Sequence, residues 1–175
     1  MPQYPKLTGL LSSATTDDTM EAQVVPYLVD VWLEDYERFN AESNIIETRS
    51  GSFSYLFDLH HERLIAAWGI SAGRHAAPRD KARMAGHPLS NGPLYHRGHA
   101  IPHTLGGPTD INLVPQLGAV NIGAFRTLER QAVATPGALY FTYWSYPRSS
   151  TQTPNGVEQG LLPPGGAPSI RQHAN

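Results

Sequence analysis

Residues 94–131, LYHRGHAIPHTLGGPTDINLVPQLGAVNIGAFRTLERQ, limit the fold more than any other stretch. LYHRGHAI reads as a strand that ends in a polar cluster, and INLVP as a second short strand. PHTLGGPTD between them is rich in turn formers. Asn121 then opens a helix with apolar residues at Ile122, Phe125 and Leu128. A strand, a strand and a helix thus follow one another in about 40 residues, short enough to pack as one unit. His99 on the first strand and Asn121 at the helix start can face a single crevice.

The rest of the chain frames this unit. Gly and Pro make up 31 of the 175 residues, so short elements with many turns are expected. Residues 1–20 read as a loose leader. Residues 21–42 have helical period, with Val24, Val25, Leu28, Val31, Trp32, Tyr36 and Phe39 on one stripe and acids opposite. Pro26 fits a first helical turn. GSFSYLFDL (51–59) and ERLIAAWGI (62–70) read as a β-hairpin, with His60 and His61 at its turn facing solvent. Residues 71–93 read as a long loop, 119–134 as a helix and 139–146 as a late strand. From Thr151 onward eight of 25 residues are Gly or Pro, which predicts an irregular tail. The expected class is α+β: an antiparallel β-sheet with a strand–strand–helix core and an additional N-terminal amphipathic helix. The expected division is an acidic leader and helix over 1–48, a core domain over 49–150 and a Pro/Gly-rich tail over 151–175.

Net charge is −2, and it is unevenly distributed. Residues 1–48 hold nine acids and two bases, whereas residues 49–175 hold eleven bases and six acids. A footprint for a polyanion can therefore lie in the second part. No cysteine is present, which excludes disulfides, thiolate metal ligands and a cysteine nucleophile. Pro5 and polar residues interrupt the N-terminal stretch, so no signal peptide is expected. No run approaches the roughly 20 apolar residues of a membrane helix, so a soluble protein with no membrane partner is expected.

The residue types in the core suit phosphodiester hydrolysis. That reaction needs a base for water, a cation for the developing charge, and cationic side chains to hold phosphates. A neutral imidazole such as that of His99 suits the first task, since its unperturbed pKa is about 6.5. An Asn amide oxygen with waters suits Mg²⁺, which keeps much of its hydration shell. Arg97 offers a planar donor fork for phosphate oxygens.

The same segment resembles the DNA/RNA non-specific endonucleases of the ββα-metal (His-Me finger) superfamily. Their motif is Asp-Arg-Gly-His, an Asn-Leu-x-Pro-Gln-like strand, then Asn-x-Gly-x-Trp-x-x-Leu-Glu. Here the residues are His96-Arg97-Gly98-His99, then Asn112 to Gln116, then Asn121-Ile122-Gly123-Ala124-Phe125-Arg126-Thr127-Leu128-Glu129. The resemblance covers roughly residues 50–135. It implies a ββα-metal nuclease core, with His99 as general base, Asn121 as direct metal ligand and Glu129 near the metal through water. Arg97 would bind phosphate, and Arg126 is a further substrate-binding candidate. An arginine in the loop after the hairpin is expected on the scissile phosphate, with Arg74 the first candidate and Arg79 and Arg83 behind it. The implied cofactor is Mg²⁺, with Mn²⁺ as a substitute, and the implied partner is DNA, RNA or both.

Eight residues on a straight helix rise about 12 Å, which also argues against Asn121 and Glu129 both ligating one ion directly. Three positions depart from the family pattern: His96 stands for Asp, Phe125 for Trp, and Val133 for a frequent arginine. The departures at His96 and Val133 motivate an alternative, an inactive ββα module that binds nucleic acid or a protein without cleaving. A third reading groups His96, His99 and His103 as a zinc site, although His96 and His99 would point to opposite faces of a strand. Taken singly, histidines such as His75, His87 and His103 read as ordinary rather than functional residues. The setting is a bacterial toxin or effector, a nutritional nuclease or a defence enzyme; small size, the missing signal and the acidic N-terminal section favour a toxin delivered by a dedicated secretion system. An acidic immunity protein would then be its inhibitory partner.

Overall fold

A computed structural model describes the chain except for residues 79–81, 83, 87, 89, 90, 148 and 149. Arg79, Arg83 and His87 therefore lie outside the described residues. Eight strands and five α-helices are described: α1 (Leu7–Ser13), α2 (Asp17–Thr19), α3 (Val25–Glu37), β1 (Ile45–Ser50), β2 (Phe53–Asp58), β3 (Arg63–Ile70), β4 (Tyr95–His99), β5 (Leu113–Leu117), α4 (Gly118–Ile122), α5 (Phe125–Ala134), β6 (Leu139–Ser145), β7 (Gly156–Leu162) and β8 (Ser169–Ala174). Six strands form one antiparallel sheet in the order β1-β2-β3-β6-β7-β8, and β4 and β5 form a separate two-stranded ribbon. The expected α+β class with an antiparallel sheet is what the chain adopts.

The N-terminal twenty residues are not a loose leader. Leu7, Leu11, Ala14 and Met20 are buried. Thr16 caps α2 in a reciprocal capping box with Thr19. A π-helical stretch, Met20–Val24, then runs into α3, where Pro26 occupies the first turn. Met20, Val24, Leu28, Trp32 and Tyr36 recur every four residues and are all buried, so the predicted stripe is real. Phe39, at its end, lies past the helix and is 42% exposed.

Strand β6 explains how the helices are arranged. It is a continuous apolar run, LYFTYWS, buried along nearly its whole length, so both of its faces are covered. Phe141 and Tyr143 meet Trp32 of α3 at ring-centroid distances of 5.1 and 6.3 Å. Alternate residues point the other way, and there Trp144 meets Phe125 of α5 at 6.3 Å. Such aromatic pairs contribute about 0.5–1.5 kcal/mol each beyond area burial. The sheet thus separates the N-terminal helices from the ribbon and its helices.

The expected irregular tail is instead two strands of the main sheet. Every residue of β7 is buried. A β-carbon on Gly160 would lie 2.0 Å from the Phe141 ring, so this glycine makes room for a cross-strand aromatic. Pro163 and Gly165 form the turn to β8, whose φ at Gly165 is +66°. Glycine and proline here serve close packing and a turn, so composition alone misled. The expected hairpin over 51–70 is present as β2 and β3, with an additional edge strand, β1, before it.

Candidate active site

The ribbon and the two helices that follow it build one cleft. In the antiparallel β4–β5 pair, Arg97 lies opposite Pro115 and His99 opposite Leu113. Arg97 and His99 are two residues apart and share a face. Gly98 between them lies on the other face, where a β-carbon would come within 2.4 Å of the Gln116 side chain. His96 points that way too: its ring would lie 2.7 Å from a β-carbon on Gly118, at the start of α4. His96 is thus packed over the turn into α4 and does not share an ion with His99, which removes the three-histidine zinc reading.

The loop after His99 is fixed by Asn112, which is fully buried. Its Oδ1 accepts from the Ile101 N–H at 2.6 Å, and its Nδ2 donates to the carbonyls of Ile101 and Pro108 at 2.6 and 3.0 Å. This side chain closes the connection between β4 and β5. It holds Ala100 and Ile101 in the core and stations Pro102, His103 and Thr104 at the cleft wall.

Asn121 does not open the helix, as the sequence pattern suggested. It is the fourth residue of α4, and a break at Gly123 (φ −101°, ψ −110°) separates it from α5. The straight-helix argument for a 12 Å separation from Glu129 therefore does not apply. Asn121 and Glu129 instead line the same cleft, about 470 Å³ in volume, together with His99, Arg97, Arg126 and Arg130. Arg126, Glu129 and Arg130 stand at i, i+3 and i+4 of one helix face, the spacing from which Arg130 was also findable. His99 is only 6% exposed, whereas Arg126 and Arg130 are exposed.

Beneath α5, Gln159 Nε2 donates to the Phe125 carbonyl at 3.1 Å and to the Tyr140 hydroxyl at 2.7 Å. Burial, followed by the nearby Glu129 charge, pushes the Tyr140 phenol well above its ordinary range. Tyr140 is therefore a neutral floor to the helix.

Arg74 is exposed and is not among the residues lining the cleft. Its neighbour His75 donates its backbone N–H to the Thr104 carbonyl at 2.8 Å, and its ring stands 6.1 Å from that of His103. His103 is in turn 6.5 Å from His99. Sequence reasoning placed His103 beside His99 only in the zinc reading and passed over Arg130; nothing in the loop sequence marks which way His103 points.

The donor set can be tested against a metal ion. One amide oxygen and one carboxylate, in an open cleft with room for water, fit Mg²⁺. Among the described residues no three His, Asp or Glu side chains cluster as zinc ligands.

The comparisons agree with this geometry. A family model described as DNA/RNA non-specific endonuclease matches residues 58–138. No curated protein sequence matches the chain. Among solved structures, NucA from Streptococcus agalactiae with no metal bound superposes with a TM-score of 0.50 at 16% identity, covering 78% of this chain and 72% of that one. NucA from the same organism with a magnesium ion bound gives 0.51 at 16% identity, covering 79% and 86%. At that identity the likeness is one of fold. The segment that holds the ribbon, its loop and both following helices is thus similar to a DNA/RNA non-specific endonuclease domain.

Proposed function

We propose that this protein is a metal-dependent endonuclease that hydrolyses DNA or RNA phosphodiesters with little sequence specificity. The observation that carries the reading is the convergence of His99, Asn121 and Glu129 with three arginines on one cleft, inside the family-matched segment. His99 takes the proton from the attacking water. Arg97 engages non-bridging phosphate oxygens through its guanidinium fork. Arg126 and Arg130 bind flanking phosphates, and Arg74, beside the His75 that is tied to Thr104 at the cleft wall, would reach the scissile phosphate from outside the cleft lining. Asn121 would hold a divalent cation directly, and Glu129 would orient its waters. When bound, that ion neutralises charge developing on the phosphate and leaving oxygen. Mg²⁺ is the expected ion, with Mn²⁺ as a substitute. Contacts made mainly to phosphate and sugar carry no direct sequence information, hence the low specificity.

The test is cleavage of plasmid DNA and total RNA with Mg²⁺ or EDTA, by wild type and His99→Ala. Metal-dependent degradation that drops at least about a hundredfold in the variant is expected from loss of a general base. Equal cleavage by both proteins would remove His99 from the mechanism. No cleavage by folded wild type would leave the inactive binding module. The biological setting we favour is a delivered bacterial toxin held in check by an acidic immunity protein over the basic cleft. Wild type should then arrest bacterial growth when expressed in the cytosol and His99→Ala should not; equal growth would count against that setting.

A further inference from the structure

A second cavity, about 300 Å³ in volume, adjoins the cleft and shares Arg97 with it. Its walls are apolar and aromatic, from Phe57, Leu113, Pro115 and Tyr146. Tyr146 is held in place: its hydroxyl donates to the Leu64 carbonyl at 2.6 Å, and the Arg63 guanidinium lies 4.3 Å from its ring centroid. Glu62 and Gln152 also line the cavity, where Gln152 Nε2 donates to Glu62 Oε2 at 3.0 Å.

Glu62 is the one non-glycine residue with positive φ among the described residues, at 51°. It ends the β2–β3 turn, a place where Gly or Asn would sit without backbone cost. A strained conformation retained beside a cavity points to a use for the side chain. The Glu62 carboxylate is an acceptor only, and one of its oxygens already takes the Gln152 amide. The remaining acceptor positions suit a ligand edge with adjacent N–H donors. Guanine presents such an edge, with N1–H beside the exocyclic amine. Flat apolar walls suit the faces of a base, and the volume exceeds that of a purine.

We propose that this cavity is a nucleobase subsite that takes a guanine of the substrate, recognised by Glu62 and Gln152 and placed beside the cleft by the shared Arg97. The proposal deepens the nuclease reading and rests on it for the base's origin. It adds a bias at one nucleotide to a phosphate-dominated interaction.

The test separates the two. Binding of 5′-GMP, 5′-AMP, 5′-CMP and 5′-UMP is measured by calorimetry without metal, for wild type, Glu62→Gly and Gln152→Ala. Wild type should bind GMP at least about fivefold more tightly than the others. Glu62→Gly should lose that discrimination while its melting temperature holds or rises, since glycine relieves the strained turn. Equal binding of the four nucleotides, or discrimination surviving in Glu62→Gly, overturns the subsite whether or not the protein cleaves. Preferential GMP binding by a protein that cleaves nothing would keep the subsite and sink the nuclease reading.

Discussion

Two polar clusters in this molecule are built from similar side chains and do opposite things. Where β2 turns into β3, Asp58 is fully buried. It accepts from the Tyr36 hydroxyl at 2.6 Å and from the backbone N–H groups of Asn44 and His60 at 3.1 and 2.9 Å, and it meets His61 Nδ1 at 2.6 Å. Arg63 donates to Tyr36, to the Thr151 carbonyl and to Asn40 at 2.7, 2.9 and 2.6 Å. This cluster binds α3 to the β2–β3 hairpin and faces inward. In the cleft, His99, Asn121, Glu129 and the arginines instead surround an open volume. The same chemistry is structural where its partners are protein; in the proposed function it is reactive where it faces an open cleft.

The sharpest way to break that contrast is Asp58→Ala. It leaves the Tyr36 hydroxyl, the backbone N–H groups of Asn44, His60 and His61, and the His61 ring without their acceptor, so the expected loss is about 3–5 kcal/mol of unfolding free energy in urea. The cleavage rate per folded molecule should not change. A large fall in that rate at full folding would show that the cluster reaches the chemistry. His99→Ala is the mirror image. Its effect should appear in rate, as described above, while the urea midpoint moves far less than in Asp58→Ala. A comparable loss of stability would make His99 a packing residue first.

Acid should attack the first cluster. Burial alone would raise the Asp58 pKa, but the hydrogen bonds from Tyr36, Asn44, His61 and His60 outweigh it and hold the carboxyl at about 2. A depressed acid contributes stability above its unfolded pKa and loses it as pH falls through the folded value. The contribution, on the order of 2 kcal/mol, should therefore vanish between about pH 4 and pH 2. Asp58→Asn should flatten that part of the stability–pH curve, as read by urea unfolding; an unchanged curve would place the acid sensitivity elsewhere.

What was legible in the sequence follows the same division. The cleft was legible because its parts lie within about 40 residues and short-range spacing positions them. His99 and Arg97 share a face by strand alternation, and Arg126, Glu129 and Arg130 share one by helical period. The break at Gly123 was missed because the apolar pattern runs through it. The role of the termini was illegible for another reason. Strand β7 is a strand because β6 and its aromatic residues accept it, as Gly160 against Phe141 shows, and β8 because β7 in turn pairs with it. Local composition suggested a tail, and long-range pairing overrode it. His61 was likewise expected to face solvent, yet Asp58, three residues earlier, draws it in.

The smallest expected effect tests the outer boundary of the cleft. Arg126 and Arg130 are exposed, so each makes a screened contact and neither is buried enough to be essential to the fold. If they bind phosphates, Arg130→Ala should weaken binding of a nucleic-acid duplex severalfold, in a preparation of His99→Ala that cannot cleave it. The slope of log affinity against log salt should shrink by about one, the signature of one phosphate contact fewer. Melting temperature should be unmoved. An unchanged salt slope would confine the substrate footprint to Arg97 and the ribbon, and would make the outward face of α5 ordinary solvated surface like that of α3.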